Sequence, residues 1–206
     1  MIQRLALIGA SGHGKVIADV ACAIGVETII FYDDRWQGIR ELCGYQVVGD
    51  VAKAIEEAAT DYDAAVVSIG NSSIREALQQ QLSCVASALI HPSASVSSSV
   101  KLGVGSVVMP NAVINADSVI GDGVIINSGA VIEHDCIVGD FSHICPNAAL
   151  GGGVVVGQKS WIGIGSSIIQ LTKVGSNVTV GAGSVVIRDV HDNQTVVGNP
   201  AKLIKR

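Results

Sequence analysis

The chain has 206 residues, 49% of them hydrophobic and 3% aromatic, with 24 glycines and a formal net charge of −5. That length suits one ordinary domain plus a small second one. The acidic balance, with no Lys/Arg cluster before a solvated tail at Lys202, Lys205 and Arg206, argues against a nucleic-acid partner.

The apolar run from Ile2 to Ile8 is too short for a signal segment, lacks a cleavage site and breaks at Gly9, and no stretch approaches a membrane span. A cytoplasmic protein without membrane insertion is therefore expected. Cys22, Cys43, Cys84, Cys136 and Cys145 follow no metal or disulfide spacing and read as free thiols in a reducing compartment. Zinc at Cys136 and Cys145, near two histidines, is the minor alternative; no metal is expected.

Residues 1–85 read as a small parallel α/β domain, Rossmann-like in texture. Leu5 to Gly9 is a short apolar strand entering a glycine-rich turn, Gly14 to Ile24 has helical periodicity, and Thr28 to Tyr32 is β-branched and aromatic before Asp33-Asp34. A second cycle follows: helix over Val51 to Ala59, strand over Ala64 to Ile69, helix over Ser73 to Leu82. The loop Gly9-Ala10-Ser11-Gly12-His13-Gly14 lies between strand and helix, where backbone N–H groups and the helix dipole favour phosphate. Asp33-Asp34 stands about where a carboxylate meets a ribose hydroxyl in dinucleotide-binding units, with a solvated turn as the close alternative for the pair taken alone. The glycine order departs from G-x-G-x-x-G, and the 85 residues before the repeat leave little room for the nicotinamide half a dehydrogenase needs, so part of a nucleotide with a diphosphate is favoured over NAD; a glycine turn without ligand is the bland alternative.

From Ile90 to Val186 an aliphatic residue recurs at every sixth position, seventeen times. Neither a helix (3.6) nor a half-buried strand (2) has that period, which is a signature of a parallel β-helix. Two residues before each aliphatic the side chain is usually small, as at Ser106, Ala112, Ser142 and Ser184. The position after it is often Gly or Asn, as at Gly103, Asn115, Gly139 and Gly163, and is expected to supply positive φ at a corner. Residues 86–206 are thus read as a β-helix domain with a C-terminal tail.

Glu133-His134-Asp135 puts three ionisable groups in a region nearly free of charge, and His143 follows nine residues later. Histidine accepts a proton near neutral pH, and an adjacent carboxylate would fix its tautomer. A solvated polar corner is the alternative for His134 alone. Together with GASGHG at 9–14, FYDD at 31–34, IGN at 69–71, VIEHDCIVGDFSHIC at 131–145 and VGNPAK at 197–202, this stretch resembles the left-handed β-helix acetyltransferases. The subgroup it resembles is the bacterial nucleotide-sugar 4-amino N-acetyltransferases of the PglD type, with relatives that O-acetylate sialic acid. The resemblance implies transfer from acetyl-CoA to the 4-amino group of a UDP-linked 4-amino-4,6-dideoxy sugar in surface glycan or glycoprotein biosynthesis, by direct attack. It implies His134 as general base, with Asp135 where the family commonly has Glu, and with Glu133 as a fallback partner. It implies catalytic Asn127, acetyl-CoA positions at His143, Gly152, Ile164 and Ala182, and sugar-nucleotide positions at Ser11, Gly12, His13, Asp33 and Asp34. The backbone N–H of Gly152 is the candidate oxyanion donor.

Three hexads make a coil of eighteen, which places Gly152 one coil above His134, about 4.8 Å along the stack. Asn127, His143, Ile164 and Ala182 fall almost half a perimeter away, and a six-residue side spans roughly 15 to 20 Å, so the two groups cannot meet in one subunit. A cyclic oligomer would unite them, and the resemblance implies a homotrimer. Parallel crossovers are right-handed in about 98% of cases, yet the resemblance implies left-handed coils. Other readings are O-acetylation of sialic acid or a related sugar, N-acetylation of a GDP-linked amino sugar, a non-catalytic sugar-nucleotide sensor or structural coil, and, least, a dehydrogenase.

Overall fold

The computed structural model describes residues 2–204, apart from the side chain of Ala59; Lys205 and Arg206, read as part of a solvated tail, lie outside the described residues. The first unit runs β1 (Arg4–Ile8), α1 (Gly12–Ala23), β2 (Thr28–Tyr32), β3 (Glu41–Leu42), β4 (Tyr45–Gly49), α2 (Val51–Asp61), β5 (Ala64–Val67) and α3 (Ser72–Gln79). The strand order is β3-β4-β2-β1-β5, parallel except for the β3–β4 hairpin. β1 lies inside the sheet and β5 is its last strand, and both are almost wholly buried, which is why they read as plain apolar runs. Asp50 and Asn71 cap α2 and α3 by accepting from the N–H groups of Lys53 and Ile74. The sequence reading held no element at β3 and β4. Their two-residue turn, Cys43-Gly44, has both residues at positive φ, a hairpin backbone that Gly favours and Cys does not announce.

Seventeen two-residue strands follow, from β6 (Leu89–Ile90) to β22 (Val185–Val186), each ending on one of the seventeen aliphatic residues. Partners are eighteen residues apart, as in Val113, Val131, Ala149, Ser167 and Val185. The strands form three parallel faces. Face one carries strands ending at Ile90, Val108, Ile126, Ile144, Ile162 and Val180, and is extended by β23 (Thr195–Val197) and the antiparallel β24 (Lys202–Leu203). Face two carries those ending at Val96 through Val186, and face three those ending at Leu102 through Val174. Corners are numbered by the face they follow.

The aliphatic column fills the prism, with Ile126, Ile132, Ile144 and Ile162 fully buried. The small positions do more than make room. Ser106, Ser118, Ser142 and Ser160 donate their hydroxyls to carbonyls fifteen residues on, at 2.7–2.8 Å. Each accepts from a backbone N–H one coil up, so no buried hydroxyl is left unpaired at these positions.

The corner glycines differ from the expectation. Positive φ falls on the third residue after the aliphatic, at Gly105, Asn111, Gly129, Asp135, Phe141, Gly153 and Leu171 among others. The residue immediately after the aliphatic is small for a different reason, the close approach of stacked backbones. A Cβ at Gly139 would stand 2.6 Å from Gln158 N, and one at Gly157 2.5 Å from Ser176 N.

The first unit docks on the lower half of face one. Leu89, Val107 and Ile125, the outward residues of three successive strands there, share one core with Leu5, Ile17, Val20 and Phe31. The next residues in that column, His143 and Trp161, lie where this cover ends.

Candidate active site

The second corner carries Glu133, His134 and Asp135. Asp135 sits in the left-handed conformation, φ 59°, and its Oδ2 accepts from His134 Nδ1 at 2.7 Å. Glu133 is engaged elsewhere, accepting from Asn115 Nδ2 at 2.9 Å. With Nδ1 donating to Asp135, the bare nitrogen of a neutral ring is Nε2. Asp135, through this hydrogen bond and its charge, and Glu133 through its charge, raise the pKa of the exposed imidazole. The ring lies over Gly152, one coil up: a Cβ there would meet His134 Nε2 and Cε1 at 2.7 Å. The Gly152 N–H makes no hydrogen bond within the described chain. At the third corner the matching N–H groups of Val104, Asp122 and Ser176 are capped by the carboxylates of Asp122, Asp140 and Asp192. Higher on the second corner stand Ile169, Leu171 and Ile187, exposed by 40, 76 and 42%.

The other residues gather elsewhere. Asn127, Ile164 and Ala182 occupy the first corner, and His143 is on face one just before it. Asn127 Nδ2 contacts His143 Nε2 at 2.9 Å. The His143 ring lies 4.4 Å from that of Trp161 and 6.2 Å from that of His13, near the start of α1. The structure thus brings His13 of the first unit onto the coil beside Asn127 and His143, one full face away from His134. His13 Nε2 and His143 Nδ1 are buried without a hydrogen-bond partner among the described residues. Burial first, then Arg75, pushes His13 down to about 4; burial, then His13 and Arg75, pushes His143 down to about 3. Both rings are neutral at pH 7.

The loop before α1 is shaped by contact. Gly9 has φ +115° and lies against Ile69, and a Cβ on Gly14 would stand 2.5 Å from Gly9 O. Ser11 is the exposed N-cap residue of α1 and makes no side-chain cap bond; Gly12 follows with open space around it. Both Asp33 oxygens are used within the chain, Oδ2 accepting from Ala10 N at 2.8 Å and Oδ1 from Arg35, which holds the carboxyl down at about 2. Asp34 is exposed, with one oxygen accepting from Val51 N.

Sequence reasoning passed over Arg75. The residue is 1% exposed and forms no ion pair among the described residues, so burial alone lowers its pKa. It donates instead to Gly123 O at 2.8 Å, Phe141 O at 2.6 Å, Ile69 O at 2.9 Å and Gly70 O at 2.8 Å. One side chain thereby ties the loop after β5 to two stacked corners, beside a Lys159–Glu76 ion pair of 2.6 Å. Its partners lie 5, 6, 48 and 66 residues away, so no local spacing announces it. Trp161 was passed over for the same reason, its contact with His143 being made between coils.

A cavity of about 590 Å³ at the upper end of face three, lined by residues that include Lys173, Asp189, His191 and Asp192, touches neither cluster. No helix among the described residues is long and apolar enough to cross a membrane.

Family models match two parts of the chain: the PglD N-terminal domain over residues 4–82 and the bacterial transferase hexapeptide (six repeats) over 117–152. Comparison with curated protein sequences gave no match. Among solved structures, the acetyltransferase domain of PglB from Neisseria gonorrhoeae FA1090 is 43% identical with a TM-score of 0.93, over 98% of this chain and 100% of that one. It has also been solved with acetyl coenzyme A. PerB from Caulobacter crescentus, in complex with CoA and GDP-perosamine, is 38% identical with a TM-score of 0.91, over 98% and 97%. WeeI from Acinetobacter baumannii AYE is 26% identical with a TM-score of 0.64, over 98% and 99%. The chain belongs to the PglD-type hexapeptide-repeat acetyltransferases, in which an α/β domain precedes a left-handed parallel β-helix.

Proposed function

We propose that this enzyme transfers the acetyl group of acetyl-CoA to the 4-amino group of a nucleotide-linked 4-amino-4,6-dideoxy sugar. The observation that carries the reading is the second corner, where an imidazole backed by a carboxylate presents Nε2 beside an uncapped backbone N–H. The amine nitrogen attacks the thioester carbonyl and forms the new C–N bond while His134 Nε2 takes its proton. The negative charge that develops on the carbonyl oxygen faces the Gly152 N–H. Collapse breaks the C–S bond, and the CoA thiolate leaves with the proton held by His134. No acyl-enzyme is formed.

Ile169, Leu171 and Ile187 offer an apolar bank for the pantetheine arm beside this corner. Asn127, His143, Ile164 and Ala182 serve the same reaction from the neighbouring subunit of a homotrimer. For one subunit's second corner to meet the next subunit's first corner, face two must turn toward the threefold axis. Its outward row of Val113, Val131, Ala149 and Ser167 is small and carries no charge, which supports that packing. Ser11, Gly12, His13 and the Asp33-Asp34 turn hold the sugar nucleotide in the cytoplasm, Asp34 being the one with a carboxylate open to a hydroxyl.

A UDP-linked sugar is the leading substrate. The GDP-perosamine complex of PerB, at 38% identity, favours a GDP-linked sugar as the second reading. Release of the CoA thiol is followed with a panel of UDP- and GDP-linked amino sugars and with sialic acid, and the acetylated position is read by NMR. His134→Ala is expected to lose turnover while retaining both ligands. Absence of acetyl-CoA binding in calorimetry, or acetylation confined to hydroxyls, refutes the reading.

A further inference from the structure

The two imidazoles of the proposed reaction are held in opposite senses, and the holding groups identify the proton on each. The backbone N–H of Ser128 donates to Asn127 Oδ1 at 2.8 Å. That fixes the orientation of the amide, because a backbone N–H needs an acceptor. The other end is therefore NH2, and it faces His143 Nε2 at 2.9 Å. An amide NH2 cannot accept, so Nε2 must be the bare nitrogen of His143. A doubly protonated ring would set two donors face to face, in a position 7% exposed, with cationic Arg75 nearby. The ring is thus neutral and carries its hydrogen on Nδ1.

We propose that Asn127 is a positioning residue that locks His143 in the Nδ1–H tautomer, so that His143 takes part in acetyl transfer as a neutral hydrogen-bond donor and never as a proton acceptor. The second half of this statement rests on the acetyltransferase reading; the tautomer does not. At His134 the carboxylate of Asp135 occupies Nδ1 and leaves Nε2 free to accept. At His143 the amide of Asn127 occupies Nε2 and leaves Nδ1 protonated. The lone pair that a base would need is already used. His143 Nδ1 is buried and meets no acceptor among the described residues, beside His13 Nε2, which likewise has no partner among them. A donor buried in this way is destabilising, as is expected where a bound group supplies the acceptor.

The test is long-range 1H–15N correlation of the histidine rings in labelled protein at neutral pH, with His143 identified by the signal lost in His143→Gln. The expected pattern for His143 is a protonated Nδ1 and a bare Nε2. In Asn127→Asp the carboxylate must accept, so the proton moves to Nε2, and kcat falls about tenfold or more, the usual worth of one hydrogen bond to the reacting groups. A wild-type His143 with its proton on Nε2 overturns the tautomer lock. Full kcat in an Asn127→Asp protein whose tautomer has reversed overturns the donor role. If the wild-type pattern is as expected but no amino sugar is acetylated, the functional reading fails and the lock stands.

Discussion

Gly152→Ala separates catalysis from folding at a single methyl group. The added Cβ would lie 2.7 Å from His134 Nε2 and Cε1 and 3.3 Å from Cδ2. Ordinary carbon contacts are about 3.5–4.0 Å, so the ring must retreat by about 1 Å. It can do so cheaply, because its side chain is 63% exposed and because Gly152, unlike Gly153, is outside the left-handed region. Stability is therefore expected to hold, or to rise by up to about 1 kcal/mol through the less flexible unfolded chain. The retreat draws Nδ1 from Asp135 and Nε2 from the attack position, and misplacement on that scale costs about 10²-fold in kcat. Gly153→Ala is the counterpart. Gly153 has φ +66° and its Cβ would meet Leu171 Cδ2 at 2.8 Å, so the cost is about 1–2 kcal/mol of stability, with a much smaller change in kcat. Initial rates of CoA release, urea unfolding and the His134 titration by NMR are measured on both variants. Wild-type kcat in Gly152→Ala would refute the placement of His134.

The acid limb of kcat/KM is expected above the ordinary histidine value of about 6.5, because Asp135 and Glu133 raise His134 and only its neutral form can take the proton. Asp135→Asn should move that limb down in pH and lower kcat; an unmoved limb assigns it to another group. Arg75→Met leaves four carbonyls without their donor and is expected to cost about 3 kcal/mol or more in chemical unfolding. In the folded fraction, loss of the cation lets His13 and His143 titrate at higher pH, which NMR would follow. Finally, His134→Ala and Ile164→Asp, each inactive alone, should recover activity when unfolded and reassembled together. Random assortment in a cyclic trimer rebuilds about a quarter of the sites; no recovery would place the whole site within one subunit.

The six-residue repeat made the β-helix legible because stacked coils ask the same thing of every sixth residue, and all seventeen positions end a strand in the fold. The β1, α1, β2, α2, β5 and α3 segments were legible for the usual reason, that buried strands and amphipathic helices have local signatures. The corner glycines were misread by two positions, since composition does not separate a need for positive φ from a need for close backbone approach. Stacking arithmetic placed Gly152 over His134. It could not foresee that Asp135, from a left-handed backbone position, would reach Nδ1 while Glu133 turned to Asn115. The sequence alone determined the coil, its eighteen-residue register and which residues share a corner, because those follow from a periodicity carried along the chain. Tertiary structure decided what those corners meet: Arg75 clasping carbonyls up to 66 residues away, and His13 brought against His143. Such contacts depend on how the α/β unit docks on the coils, through a core the two share, and no local spacing encodes them.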